Sequence, residues 1–365
     1  MNKEKLVKLM AEDGCDWWKE QLKDKKLKRF MLNLPEKCNI NHIVVIGYGI
    51  LDGLSLKEIK VYAKPVFNYD QMNQIKSGFR QKLSLEQVQV YADSKFDDEQ
   101  MKELQVLLTM YPMEKVKLVA NPHLNSYQMR TILINGKSLP DNIILKYADP
   151  NMESEKLEII YSALEKGFTE EQVDVLWHPY FTISQMEEIK KGFENGLSVE
   201  KVKLYAKPAF NFEQMEQIRL GFEKGLSKSK VKLYANPEFK VYQMEEIRAS
   251  LQDNIPVEIV KLYAKPSVCT IQLLRSIAKE GADKEKIKRY ALLDRAQLKQ
   301  ILAYEKEGLD EEYIRFIANP AYPNRVMGLL HTAALVNKSL DELEKIAQEE
   351  LYTKEEKELL DILNG

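Results

Sequence analysis

The 365-residue sequence predicts an all-α fold: a right-handed α-solenoid of about eleven two-helix repeats closed by helical caps. Three observations carry that expectation. A YA(K/D/N)P signature recurs, its leading position held by Tyr62, Tyr91, Val119, Tyr147, Leu176, Tyr205, Tyr234, Tyr263, Tyr290 and Ile317, at intervals of 27 to 29 residues. A fixed period of that length marks a repeat array. Each period holds one longer and one shorter amphipathic segment with its own start and stop signals. Neither segment can bury its apolar face within a single repeat, whereas stacked neighbours can.

In chain order, residues 1–32, with Trp17 and Trp18, read as an N-terminal helical cap. The repeats span 33–346: a weaker copy of the signature begins near Asn33, and Ile346 lies one period past Ile317. Residues 347–365 read as a polar, amphipathic C-terminal capping helix.

The longer helix of each repeat opens on Asn68, Asp97, Asn125, Thr182 or Asn211, with Gln71, Gln100, Gln128, Gln185 or Gln214 three residues on. That is a capping box: the cap side chain accepts from the N3 amide, and the N3 side chain reaches back to the cap amide. Gln243 and Gln272 keep the glutamine where the cap residue differs. Met72, Met101, Met129, Met186, Met215 and Met244 follow directly. Ile75, Leu104, Ile132, Ile189, Ile218 and Ile247 come three residues later, and Phe79, Phe193 and Phe222 four beyond. The i, i+3, i+7 spacing predicts a buried stripe, so the methionines are core and not metal or haem ligands. Gly78, Gly192 and Gly221 are expected to mark a close helix contact, and Gly167, Gly196 and Gly225 a left-handed turn after the helix.

The shorter helix starts at Ser55, Ser84, Thr169, Ser198, Ser227, Asp283, Asp310 or Ser339, or at Pro112, Pro140 or Pro256. A following proline such as Pro65 or Pro208 ends it. The signature tyrosine is expected to pack between repeats with its hydroxyl reaching a loop.

Net charge is −2, so the molecule is no polycation, and any nucleic-acid reading rests on local charge. Cys15, Cys38 and Cys269 lie far apart without a CxxC pattern, which predicts buried thiols instead of a disulfide scaffold or zinc site. The start of the chain lacks a signal-peptide pattern, and no apolar run approaches the roughly 20 residues that span a bilayer. A cytoplasmic protein with no membrane partner is expected. VVIGYGILDG imitates a strand and a phosphate loop, but the repeat frame puts Gly49 beside Gly78 and Gly53 beside Gly196, inside and just after a helix. His42, His123, His178 and His331 are mutually isolated, and no nucleophile–base arrangement recurs at equivalent positions. No catalytic residue, metal ligand or cofactor is expected.

Two residues before the signature position runs a basic row, the candidate binding residues Lys60, Lys117, Lys203, Lys232, Lys261, Lys288 and Arg315, broken at Gln89, Leu145 and Asp174. The row could hold phosphates. Five i, i+3 pairs oppose that use by neutralising it: Glu114–Lys117, Glu200–Lys203, Glu258–Lys261, Glu285–Lys288 and Glu312–Arg315. The longer helices show the same habit at Glu187–Lys190, Glu216–Arg219 and Glu245–Arg248.

The order GLSxExVxxYAxPxF, a longer amphipathic helix and GLS again resembles the mitochondrial transcription termination factor repeat. The resemblance covers most of the chain and implies a curved solenoid that binds double-stranded DNA. The repeats also resemble those of uncharacterised repeat proteins of anaerobic bacteria and their mobile elements. The leading expectation is a protein-binding scaffold of bacterial or phage origin, an adaptor or an inhibitor that occludes another protein. The alternative is nucleic-acid binding through the lysine row.

Overall fold

The computed structural model describes residues 2–14 and 18–351; Cys15, Trp17 and the 352–365 part of the expected C-terminal cap lie outside them. All regular structure among the described residues is helical, in 25 helices. They fall into two compact units, 1–179 and 180–365.

In the first unit, α1 (Lys3–Glu12), α2 (Trp18–Gln21) and α3 (Lys25–Leu32) precede an alternation of longer A helices and shorter B helices. The A helices are α4 (Ile40–Leu51), α6 (Tyr69–Arg80), α8 (Asp98–Met110), α10 (Ser126–Gly136) and α12 (Ser154–Glu165). The B helices are α5 (Leu56–Tyr62), α7 (Leu85–Gln89), α9 (Met113–Val119), α11 (Asp141–Tyr147) and α13 (Glu170–Leu176). The second unit continues with A helices α14 (Ile183–Glu194), α16 (Phe212–Glu223), α18 (Val241–Gln252), α20 (Ile271–Lys279), α22 (Arg295–Lys306) and α24 (Asn324–Leu335). Its B helices are α15 (Val199–Tyr205), α17 (Lys228–Val231), α19 (Val257–Tyr263), α21 (Lys284–Tyr290), α23 (Glu311–Ile317) and the longer α25 (Leu340–Leu351). VVIGYGILDG lies in α4 and its end, with Gly53 at φ +78°, the left-handed residue that stops the helix.

Within the units A helices pack in series: α4, α6, α8, α10 and α12 in the first, and α14, α16, α18 and α20, then α22 on α24, in the second. The methionine and isoleucine rows supply the contact, with Met72, Met101, Met129, Met186, Met215, Met244 and their Ile or Leu partners fully buried.

The capping glutamine does a second thing that the helix-start pattern does not reveal. In α16, Gln214 Oε1 accepts from Asn211 N at 3.0 Å. Its Nε2 donates to Phe239 O at 2.7 Å and Pro237 O at 3.0 Å, in the turn that leads into α18. Gln71, Gln100, Gln128, Gln185, Gln243 and Gln297 repeat the double bond onto the next repeat's turn. Where α12 has Lys156 instead, its ammonium reaches Pro179 O at 3.3 Å. One buried side chain thus caps its own helix and fastens the next repeat, satisfying carbonyls that would otherwise be stranded.

At Tyr62, Tyr91, Tyr205 and Tyr234 the signature tyrosine points inward, at the A helix of its own repeat, and not at a loop as expected, whereas Tyr147 donates to Asp174 on the next B helix at 2.7 Å. A Cβ on Gly49, Gly78, Gly192 or Gly221 would stand 1.8–2.0 Å from the hydroxyl of Tyr62, Tyr91, Tyr205 or Tyr234. Each glycine makes room for a phenol. Tyr205 and Tyr234 then donate weakly to Glu188 O and Gln217 O, at 3.5 and 3.4 Å. Where the glycine position holds Ala163, the tyrosine position holds Leu176, also fully buried.

Two further expectations are corrected. Gln272 does not continue the glutamine row: it is exposed, and Thr270 and Ile271 point inward in its place. The glutamine frame would have turned Ser276 and Glu280 toward the core, whereas the observed register buries Ile271, Leu274 and Ile277. The apolar stripe wins because burying a polar group without a partner costs kilocalories. Cys269 is exposed, not buried, because it lies in the turn just before α20; Cys38 is buried as expected.

Candidate partner-binding surface

The B-helix edge carries the lysine row, and all seven row residues are exposed. Lys117 pairs with Glu114 at 2.8 Å and Lys261 with Glu258 at 2.9 Å, both as the spacing implies. Arg315 pairs instead with Glu311, one turn back, at 3.1 Å. The Lys60 ammonium sits 6.0 Å from the Phe30 ring. Lys232 and Lys288 have no ion pair among the described residues, so the expected Glu285–Lys288 pair is not formed. α19 packs on α21, which puts Lys261 and Lys288 on neighbouring helices.

A second surface, absent from the periodic pattern, lies at the start of the A helices. In the second unit Ile183, Phe212 and Tyr242 occupy the first or second residue of α14, α16 and α18, and are 41%, 44% and 44% exposed. Ile183 and Phe212 stand two residues before Gln185 and Gln214, and Tyr242 one residue before Gln243; because α14, α16 and α18 pack in series, they mark neighbouring helix starts whose axes are roughly 8–10 Å apart. Beyond Tyr242 the surface opens into a cleft of about 300 Å³ lined by Tyr242, Glu246, Cys269, Gln272, Leu273 and Arg295. The first unit shows related features, with exposed Tyr69 and Tyr127 at the starts of α6 and α10 and a cleft of about 240 Å³ beside Tyr127.

Acids surround the row. Glu213 and Glu245 are exposed and have no ion-pair partner among the described residues. Glu187 and Glu216 touch Lys190 and Arg219 only loosely, both at 3.6 Å. The expected Glu245–Arg248 pair is replaced: Arg248 donates to Gln217 on the preceding A helix at 3.0 Å. The same rung is built by Arg219 on Glu188 at 2.9 Å and by Arg275 on Glu246 at 2.9 Å. Arg219, Arg248 and Arg275 are therefore drawn down between helices, tying neighbours together, while Glu213 and Glu245 remain at the surface. Arg275 also bonds Asp253 at 2.7 Å, and that bond, with Lys279 beside it, holds the Asp253 carboxyl below the usual carboxylate range.

The described residues contain no group of three or more His, Cys, Asp or Glu side chains placed to hold a metal ion. His42 is buried in the N3 position of α4, and His331 stacks on Tyr304 with ring centroids 3.7 Å apart. No described helix is long and apolar enough to cross a membrane. The sequence matches no protein-family model and no curated protein.

Proposed function

We propose that the chain is a non-catalytic protein-binding scaffold, an adaptor or an inhibitor that covers part of another protein. Its architecture in this reading is a right-handed α-solenoid of about eleven repeats over 33–346, with helical caps over 1–32 and 347–365. In-series packing of equivalent helices in each unit supports it, since such arrays grow by adding one repeat to a continuous core. The observation that carries the binding role is the exposed row Ile183, Phe212 and Tyr242. These side chains leave over two fifths of their surface in water at neighbouring helix starts, and clustered exposed apolar surface marks interaction sites. A cytoplasmic setting fits an exposed, unpaired Cys269.

A second reading, nucleic-acid binding along the lysine row in the manner of the termination-factor repeats, is favoured by the exposed, unpaired Lys232 and Lys288. Capture of partners from lysate of the source cell, with and without nuclease, separates the two. The scaffold reading expects a nuclease-resistant protein partner that the chain with Lys203, Lys232 and Lys261 all changed to Gln still retains. Nuclease-sensitive capture, abolished by the triple variant and falling by about one log-log salt unit per lost phosphate contact, would replace it.

A further inference from the structure

We infer that the A-helix face of the second unit takes a basic, apolar-punctuated segment of the partner protein in extended form. The inference rests on the scaffold reading and adds the partner's chemistry. Phe212 and Tyr242 stand beside Glu213 and Glu245, which have no ion-pair partner among the described residues. Glu187 and Glu216 extend the same acidic border. Two cations of this face, Arg219 and Arg248, are turned between helices by Glu188 and Gln217, Lys190 lies against Glu187, and Lys240 stays exposed at the start of α18. Arg295, at the far end of the adjoining cleft, lies on α22. A surface with apolar knobs beside the unpaired Glu213 and Glu245 and the loosely paired Glu187 and Glu216 complements lysines or arginines alternating with apolar residues, and charge complementarity of this kind selects partners and speeds their encounter. The spacing sets the register. Successive A helices are about 8–10 Å apart, and a segment in extended polyproline II form advances about 3.1 Å per residue with three residues per turn, so every third residue returns to the same face and meets the next repeat.

The test measures fluorescence anisotropy of labelled (Leu-Lys-Lys)₄ on the full chain, against (Ser-Lys-Lys)₄ and (Leu-Glu-Glu)₄. (Leu-Lys-Lys)₄ is expected to bind, (Leu-Glu-Glu)₄ not, and (Ser-Lys-Lys)₄ at least about ten-fold more weakly. The double variant Phe212→Ser, Tyr242→Ser should lose about ten-fold or more for (Leu-Lys-Lys)₄ while keeping the full helical signal at the assay temperature, since neither side chain belongs to the fully buried stripe. Glu213→Gln with Glu245→Gln should flatten the salt dependence. Equal binding of the serine peptide, binding of the glutamate peptide, absence of (Leu-Lys-Lys)₄ binding, or an unaffected double variant would each overturn the inference. Failure of the basic chemistry and failure of the scaffold role give different results. A captured protein lost by the Phe212/Tyr242 variant while (Leu-Lys-Lys)₄ fails to bind removes only the basic chemistry. Failure to capture any nuclease-resistant protein removes the scaffold reading itself.

Discussion

The repeats from α14 to α19 and the stretch from α20 to α22 are built to one plan, yet they pack differently. In the former, Gln185, Gln214 and Gln243 each cap their own helix and bond two carbonyls of the next turn. In α20 the inward position is Thr270, whose buried hydroxyl has no partner, and the helix starts without a side-chain cap bond and runs nine residues instead of twelve. Between α20 and α22 a cleft of about 550 Å³ opens, lined by Leu273, Ile277, Ala282, Leu302, Glu305 and neighbours. There too the glycine position holds Ile277, and the Tyr290 hydroxyl turns to Glu305 at 2.6 Å. A threonine has the polarity but not the reach of a glutamine, and the fastening fails at that step. The apolar stripe builds each repeat; the glutamine joins it to the next.

The broadest way to probe this difference is alkaline pH. Burial holds the phenols of Tyr62, Tyr91, Tyr205 and Tyr234 well above the ordinary tyrosine value. A raised folded-state pKa means the folded chain keeps its protons where the unfolded chain loses them. The stabilisation is therefore complete below about pH 10, the unperturbed tyrosine value, and is lost as pH rises above it. Phenolate absorbance from the buried tyrosines should appear together with loss of the far-ultraviolet helical signal. Free titration of all tyrosines near pH 10 in a fully helical chain would contradict the inward placement.

The clamp itself is tested next. Gln214→Ala removes a cap acceptor and two donors to buried carbonyls and should cost about 2–4 kcal/mol in chemical denaturation. Thr270→Ala, which removes a hydroxyl that bonds nothing, should cost under about 1 kcal/mol. Equal losses would mean that the glutamine bonds carry no special weight. A smaller effect comes from the phenol pocket. Gly192→Ala forces a methyl group to within 2.0 Å of the Tyr205 hydroxyl and should cost about 1–3 kcal/mol. Adding Tyr205→Leu, which copies the natural Ala163–Leu176 pair, should recover most of that loss. The smallest effect is a gain: Thr270→Gln should stabilise the chain by about 1 kcal/mol if its carboxamide reaches the turn before α22.

Much of the fold could be read from the chain because its rules are local. Asn211 and Gln214 lie three residues apart, Met215 and Ile218 share a helix face, and Gly53 ends a helix by its own backbone angle. The inter-repeat half of the glutamine's bonding was hidden because its partners are main-chain carbonyls such as Phe239 O, which leave no residue signature. Gln272 signals the wrong register for α20 because the polar Ser276 and Glu280 that its frame would bury lie outside the helix-start pattern. The lysine row was visible because it recurs at one frame position. The row of Ile183, Phe212 and Tyr242 was not, because no packing constraint fixes residue identity at an exposed helix start.

The most direct measurement is a footprint of the chain with its captured protein partner. Hydroxyl-radical oxidation would report Phe212 and Tyr242, and lysine acetylation would report Lys203, Lys232 and Lys261, each with and without the partner bound. The account predicts strong protection of the two aromatic residues and unchanged acetylation of the three lysines. Protected lysines with freely oxidised Phe212 and Tyr242 would contradict it and move the binding surface to the B-helix edge.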